Sequence, residues 1–124
     1  MPQVTFRYRK DLAKDMPFRK ISDEIAKIVA EELSCEDAGG DLTDKDVEVE
    51  FRPFGPHDRT NGFAVAIVID ANDFPARKKN FEERVQNIAR KLGRINDWWR
   101  HAKAYLWVRL LPASFQEIGC TTPG

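Results

Sequence analysis

The chain has 124 residues and a mass of 14.3 kDa, and its 20 Lys and Arg residues balance its 20 Asp and Glu residues. This length predicts one domain with one core, and the hydrophobic content of 42% excludes disorder of the bulk. The zero net charge offers no global basic field to attract nucleic acid or anionic lipid.

The spacing of the cysteines and the distribution of apolar residues indicate the cellular compartment of the protein. Cys35 and Cys120 lack CxxC spacing, which argues against a disulfide framework and a structural zinc site. The longest apolar run, residues 63–69, is far shorter than the roughly 20 residues of a membrane span. The first ten residues lack the apolar region of a secretory signal. We therefore expect a cytoplasmic protein with no membrane partner.

The first half of the chain predicts a strand, a helix and a second strand. Residues 4–8 alternate apolar and polar side chains, which is typical of a half-buried strand. Apolar residues then recur at helical spacing and predict an amphipathic helix over about 19–33. After a loop at 34–46 that is rich in Gly and Asp, residues 47–52 alternate again and predict a strand that ends before Pro53.

The second half repeats this order. Residues 63–69 are all apolar, which predicts a central strand buried on both faces. Helical spacing over about 80–92, followed by Gly93 as a C-cap, predicts a second helix. Residues 105–111 form the last predicted strand, and a tail over 112–124 follows.

The repeated order predicts an α+β fold built from two fused β-α-β units. The first repeat covers about 2–52 and the second about 63–111, within a single domain over 1–124. Right-handed crossovers place both helices on one face of a four-stranded mixed sheet. The other face is left uncovered, and the apolar third strand predicts that association through this face covers it.

A proline directly after Met1, opening a first strand that leads into a doubled β-α-β order, resembles the tautomerase superfamily. This superfamily includes 4-oxalocrotonate tautomerase, macrophage migration inhibitory factor and 5-(carboxymethyl)-2-hydroxymuconate isomerase. The resemblance covers roughly residues 2–111 and is greatest to members with two units fused in one chain. It implies a homotrimer in which the uncovered faces of three sheets turn inward as a barrel.

Pro2 is the candidate catalytic residue. Removal of Met1 leaves a secondary amine, and an α-amino group has a pKa of about 7.7 to 8.0 that apolar burial or a nearby cation lowers. The resemblance implies that this amine moves a proton on a small enol or 2-keto carboxylate, and we expect no cofactor. If Met1 is retained, the Pro2 nitrogen is an amide without a basic lone pair.

Three arginines are candidates for binding the substrate carboxylate, because a guanidinium pairs with a carboxylate through two hydrogen bonds and stabilises a developing enolate. They are Arg9 after the first strand, Arg52 at the end of the second and Arg77 after the third. Glu48 stands where 4-oxalocrotonate tautomerase has an arginine, which leaves the reaction type open. Glu117 is a candidate for activating water.

Two other classes of function stay open. A non-catalytic trimeric interaction module of the same fold would use its N-terminus structurally. A monomeric ferredoxin-like nucleic-acid binder would expose a basic and aromatic sheet face, which the zero net charge disfavours. The aromatic and basic candidates for such a face are Trp98, Trp99, Trp107, Arg94, Arg100 and Arg109. His57 and His101 lie far apart in the sequence, so we expect no metal site.

Overall fold

A computed structural model describes residues 2–37, 40–95 and 103–119. The strands are β1 (Gln3–Tyr8), β2 (Glu48–Pro53), β3 (Val65–Asn72) and β4 (Ala104–Leu111). The α-helices are α1 (Phe18–Leu33), α2 (Pro75–Lys78) and α3 (Phe81–Leu92), with short 3-10 helices at Lys10–Asp15 and Asp44–Asp46. The candidates Trp98, Trp99, Arg100, His101 and Cys120 lie outside the described residues.

The four strands form one mixed sheet in the order β2-β1-β3-β4. β1 is parallel to β2, β3 is parallel to β4, and the two central strands are antiparallel to each other. Each parallel pair is joined across a helix, as a β-α-β unit requires. The predicted α+β fold with a four-stranded mixed sheet is confirmed.

The boundaries of β3 and β2 differ from the prediction. β3 begins two residues after Phe63 and continues to Asn72, beyond the expected end at Ile69. It continues because Asp70 and the residues after it still pair with β4 although the apolar run has ended. Pro53 is the last residue of β2 rather than the first of the loop, since a proline is tolerated on an edge strand.

The short helix α2 was not predicted. It begins at Pro75, directly after β3 and its connecting residues. A proline suits the first position of a helix, because its missing N–H would have no partner there and its φ is already helical. α2 carries Arg77 at a buried position.

The hydrophobic core lies between one face of the sheet and the helices α1 and α3. Strand alternation directs Val4 and Phe6 of β1 toward this core, where both are buried. The helices contribute their apolar stripes, namely Ile21, Ile25, Val29, Leu33, Ile88 and Leu92. Both helices therefore cover the same face, as the crossover rule predicts.

The opposite face of the sheet, which we call the open face, carries the alternate residues of each strand. The strand register aligns them in three rows: Glu48, Gln3, Asp70 and Arg109; Glu50, Thr5, Val68 and Trp107; and Arg52, Arg7, Ala66 and Tyr105. The Trp107 side chain is 62% exposed on this face. No helix among the described residues is long and apolar enough to cross a membrane.

Candidate active site

Pro2 directly precedes the central strand β1 and is fully buried. Its carbonyl oxygen accepts a hydrogen bond from the backbone N–H of Glu48 at 3.1 Å, which extends the β1–β2 pairing by one residue. Gln3 lies opposite Asp70 in the antiparallel register, so Ala71 is the position opposite Pro2. The starts of β1 and β2 thus meet the ends of β3 and β4 at one edge, which we call the Pro2 end of the sheet.

A cavity of about 240 Å³ opens at the Pro2 end. It is smaller than the roughly 300 to 1,000 Å³ of pockets for drug-sized ligands, so it suits a small molecule. The walls come from the ends of three strands and from the segment after β4. The lining residues are Gln3, Asp70, Ala71, Asn72, Leu111, Ala113, Ser114 and Phe115.

Asp70, which lines this cavity, forms an ion pair with Arg109 on the open face. Nε and Nη2 of Arg109 donate to the two carboxylate oxygens of Asp70 at 2.7 and 2.9 Å. The hydrogen bond to Asp70, and then its negative charge, raise the pKa of Arg109 above its ordinary value. Both side chains are partly exposed, so water screens the pair. A ligand carboxylate can therefore compete with Asp70 for the guanidinium of Arg109.

Sequence reasoning did not select Asp70, and it considered Arg109 only for the nucleic-acid alternative and not for carboxylate binding. Asp70 is the first charged residue after the apolar run, and Arg109 is the only charged residue in β4. A charged residue that interrupts an apolar segment is a signal in the sequence that could have marked each of them as a candidate site residue. Their meaning depends on the β3–β4 register, which places the two residues opposite each other and which no local pattern reveals.

Arg77 lies at the end of the sheet that also holds Pro2, but it is only 1% exposed. Its Nε donates to the carbonyl oxygen of Leu33 at 2.6 Å, and its Nη1 donates to that of Asn72 at 3.0 Å. The guanidinium lies 4.8 Å from the ring centroid of Phe74. Burial lowers the pKa of Arg77 below its ordinary value. In the single chain Arg77 connects the end of α1 to the end of β3, and a direct substrate contact stays a prediction.

Arg9 and Arg52 lie at the opposite end of the sheet from Pro2. Arg9 follows the last residue of β1, and Arg52 is the next-to-last residue of the parallel strand β2. The six residues of β1 lie between Pro2 and Arg9, which places the two residues roughly 23 Å apart along the extended chain. Both arginines are exposed, and each pairs with a carboxylate two residues away in sequence, Asp11 or Glu50. Within one chain, neither converges on Pro2.

The other residues considered from the sequence do not form a cluster. Glu117 is exposed in the tail, two residues beyond Phe115 of the cavity wall. His57 is exposed, and Cys35 is a half-buried free thiol. Over the described ranges, no three His, Cys, Asp or Glu side chains are grouped so that they could hold a metal ion.

Charges of both signs lie close together on the open face and beside it. The arginine–carboxylate pairs are Arg7 with Asp58, Arg52 with Glu50 and Arg109 with Asp70. Binding to a nucleic-acid backbone requires uncompensated cations that replace its counterions. This pairing of charges gives the face little attraction for a polyanion.

No protein-family model and no curated protein matches the sequence. Solved structures do match the fold. 5-Carboxymethyl-2-hydroxymuconate delta-isomerase is 10% identical and has a TM-score of 0.61, over 100% of this chain and 89% of that one. A native fused 4-OT is 11% identical with a TM-score of 0.59, over 97% and 94%. The FG41 malonate semialdehyde decarboxylase, inhibited by 3-bromopropiolate, is 12% identical with a TM-score of 0.59, over 97% and 91%.

These matches extend over nearly the whole chain at very low identity, so they establish the architecture and leave the chemistry open. They agree with the doubled β-α-β order that the sequence predicts and the sheet displays. The resemblance inferred from the order of the elements is confirmed at the level of the fold: the chain has the fold of the tautomerase superfamily.

Proposed function

We propose that this protein is a tautomerase-like enzyme in which the nitrogen of Pro2, freed of Met1, transfers protons on a small enol or 2-keto carboxylate. The observation that carries the proposal is the position of Pro2. It directly precedes the central strand β1. Its neighbour Gln3 and the opposite residue Ala71 line a small cavity, and Asp70 and Asn72 add polar groups to the lining.

The proton transfer follows from the chemistry of a buried secondary amine. Burial disfavours the charged form and lowers the pKa of the amine, so a neutral base is available near neutral pH. The lone pair takes a proton from the enol hydroxyl or from a carbon of the substrate. The resulting ammonium gives a proton to a carbon other than the atom that lost it, so the substrate is isomerised and the amine is regenerated.

The carboxylate of the substrate needs a cation near Pro2. Arg109 lies at the Pro2 end of the same chain, and exchange of Asp70 for a substrate carboxylate preserves its paired hydrogen bonds. Arg9 and Arg52 can reach a proline only in a neighbouring copy of the chain. Arg77 contacts the Asn72 backbone, and it would need to rearrange to reach the substrate directly.

We propose a homotrimer assembled through the open face, with residues 1–124 as one tautomerase-like domain. The repeats over about 2–52 and 63–111 correspond to β1-α1-β2 and β3-α3-β4. Half-buried Val68 and exposed Trp107 on the open face support association there, because it would remove apolar surface from water. The free thiol of Cys35 favours a cytoplasmic location.

A second candidate function is a non-catalytic interaction module of the same fold. The complete burial of Pro2 favours it, together with the hydrogen bond between its carbonyl oxygen and Glu48. In this case the N-terminal residue serves to align β1 with β2, and its nitrogen has no chemical task.

Phenylenolpyruvate ketonisation by samples of verified intact mass separates the two functions. The mature chain beginning at Pro2 is compared with a chain that retains Met1 and with Pro2→Ala. We expect both altered chains to lose about 10²- to 10⁴-fold in turnover, since a general base supplies that range. Equal circular dichroism spectra control for folding. Full activity in the Met1-retaining chain contradicts the proline mechanism, and an inactive mature chain favours the interaction module.

A second variant tests the carboxylate site. Arg109→Gln removes the charge but keeps a polar side chain, and we expect kcat/KM to fall about 10- to 100-fold, as for the loss of a charged hydrogen bond. The matched control is Arg90→Gln, because Arg90 is exposed on α3 in the helix layer. Equal kcat/KM in the two variants removes Arg109 from the site.

A further inference from the structure

Asp73 follows directly after β3, at the Pro2 end of the sheet. Its backbone N–H donates to the carbonyl oxygen of Leu111 at 3.0 Å, which continues the pairing of β3 with β4 by one residue. Ala71 faces the core, and strand alternation places Asp73 on the same side. Pro2 is also on this side, because it alternates with the buried Val4 of β1.

The two oxygens of the Asp73 carboxylate differ in their surroundings. Nζ of Lys78 lies 3.1 Å from Oδ2. Oδ1 is buried, and in the part of the chain that the structure describes it is the one buried side-chain nitrogen or oxygen without a hydrogen-bond partner. A buried carboxylate oxygen costs free energy unless a donor reaches it. Oδ1 therefore requires a donor at the Pro2 end.

The nitrogen of Pro2 becomes such a donor when Met1 is removed. While Met1 is attached, this nitrogen is an amide that carries no hydrogen. A free proline nitrogen carries one hydrogen as a neutral amine and two as an ammonium. Ala71 is opposite Pro2 in the antiparallel register, so Asp73 is the diagonal neighbour of Pro2, roughly 7 to 8 Å away. The nitrogen lies on the side of Pro2 that faces residue 73, because the two strands run in opposite directions.

The other carboxylates at this end of the sheet already have donors or are in contact with water. Asp70 pairs with Arg109. Glu48 accepts a hydrogen bond from a side-chain amide at 3.5 Å, and Asp37 accepts one from a backbone N–H at 3.2 Å. Glu117 is exposed in the tail.

The cations at this end also have partners. Arg77 and Arg84 donate to backbone carbonyl oxygens, and Lys78 contacts the other oxygen of Asp73. An ammonium at Pro2 therefore has Asp73 as the carboxylate that still offers it a buried acceptor.

We propose that Asp73 is a positioning residue for Pro2, and that its Oδ1 accepts a hydrogen bond from the Pro2 nitrogen when the chain begins at Pro2. A neutral secondary amine has one N–H and one lone pair, so a bond that holds the N–H leaves the lone pair for the substrate. The carboxylate also stabilises the ammonium that carries the proton between the two transfer steps. The catalytic meaning of this contact rests on the proposed function, whereas the contact itself does not require turnover.

NMR titration of the Pro2 nitrogen tests the contact, in ¹⁵N-labelled chains whose intact mass confirms removal of Met1. Asp73→Asn keeps the shape of the side chain and removes its charge. An opposite charge nearby shifts a pKa by about one to three units, so we expect the pKa of the Pro2 ammonium to be lower in Asp73→Asn by about one unit or more. The matched control is Asp23→Asn, which removes an exposed carboxylate near the start of α1 and should leave this pKa unchanged.

A second readout needs no variant. In the wild-type chain, the ¹³C signal of the Asp73 carboxyl carbon should shift in step with the titration of the Pro2 nitrogen. Equal Pro2 pKa values in wild type and Asp73→Asn, or an Asp73 signal that does not respond to the Pro2 titration, overturn the inference even if the mature chain is an active enzyme.

The titration also separates the inference from the proposed function, because it uses no substrate. A lowered Pro2 pKa in Asp73→Asn, in a chain without activity on phenylenolpyruvate, supports the contact and counts against the proposed function. In an active chain, the rise of kcat/KM with pH should move to lower pH in Asp73→Asn by the same amount as the Pro2 pKa. A rise at an unchanged pH contradicts the positioning role of Asp73.

Discussion

Arg77 and Arg52 were both candidates for binding a carboxylate, but their surroundings in the fold are very different. Arg52 is exposed and pairs only with Glu50 on its own strand. Arg77 is buried and donates to the carbonyl oxygens of Leu33 and Asn72. A buried guanidinium is costly unless its donors have partners, and buried carbonyl groups are costly without a donor. At Arg77 the guanidinium obtains acceptors and the two carbonyl groups obtain donors through the same hydrogen bonds.

This difference predicts unequal effects on stability. Arg77→Met should lower the free energy of unfolding by about 2 to 4 kcal/mol, because the buried carbonyl group of Leu33 and the partly buried one of Asn72 lose a charged donor. Arg52→Met should change it by no more than about 0.5 kcal/mol, as at other exposed sites. Urea unfolding of both variants measures the difference. An Arg77→Met chain as stable as Arg52→Met contradicts the structural role of Arg77.

At the scale of elements, the C-terminus of α1 depends on side chains from the second repeat. Carbonyl groups in the last turn of a helix lack partners within the helix. Nη1 of Arg84 donates to the carbonyl oxygens of Glu32 and Ser34 at 2.6 and 2.8 Å, and Nε of Arg77 donates to the carbonyl oxygen of Leu33. The two repeats are thereby joined on the helix side as well as through the sheet.

The contact between α1 and α3 predicts a pH dependence. Glu32 accepts hydrogen bonds from Nζ of Lys91 at 2.7 Å and from Nδ2 of Asn87 at 3.1 Å. Burial raises the pKa of Glu32, but these bonds outweigh it and leave the pKa below its ordinary value. The contribution to stability is therefore complete above the unfolded-state pKa, about 4.3, and is lost as the pH falls through the lower folded-state pKa.

We expect Glu32→Gln to destabilise the chain at pH 7, and the difference from wild type to shrink as the pH falls from about 5 to 3. Urea unfolding across this pH range measures it. The control is Glu36→Gln, because Glu36 is exposed just after α1. A difference for Glu32→Gln that stays constant with pH would show that the bonds to Lys91 and Asn87 do not act through the carboxylate charge.

At the scale of the whole molecule, the open face determines whether the chain functions alone. Val68 occupies the middle row of this face and is half-buried in the single chain. Val68→Glu should convert the proposed trimer to a monomer, because a charge would be buried at the interface. Sedimentation velocity measures the mass, and Gln86→Glu adds the same charge on exposed α3 as a control. A wild-type chain that is monomeric, or a trimer in Val68→Glu, contradicts assembly through this face.

The sequence by itself determined the kinds of elements and their order. Apolar spacing in α1 and alternation in β1 are local consequences of helix and strand geometry, so burial on one side is readable from consecutive residues. The repeated order then restricted the topology, because parallel strands need crossovers of one hand. The uncovered face followed from the same rule. The position of Pro2 next to the first strand was predictable as well, because the alternation of apolar and polar residues begins two residues after it.

Only the tertiary structure decided which side chains meet. Asp70 and Arg109 become partners through the β3–β4 register, across 39 residues of sequence. Arg77 is buried where the end of α1 meets the end of β3, and its guanidinium donates there to the carbonyl oxygens of Leu33 and Asn72. These facts depend on hydrogen bonds and packing between distant segments. The spacing of apolar residues, every second residue in a strand or every 3.6 residues in a helix, describes one element at a time. It does not specify which other element packs or pairs with it.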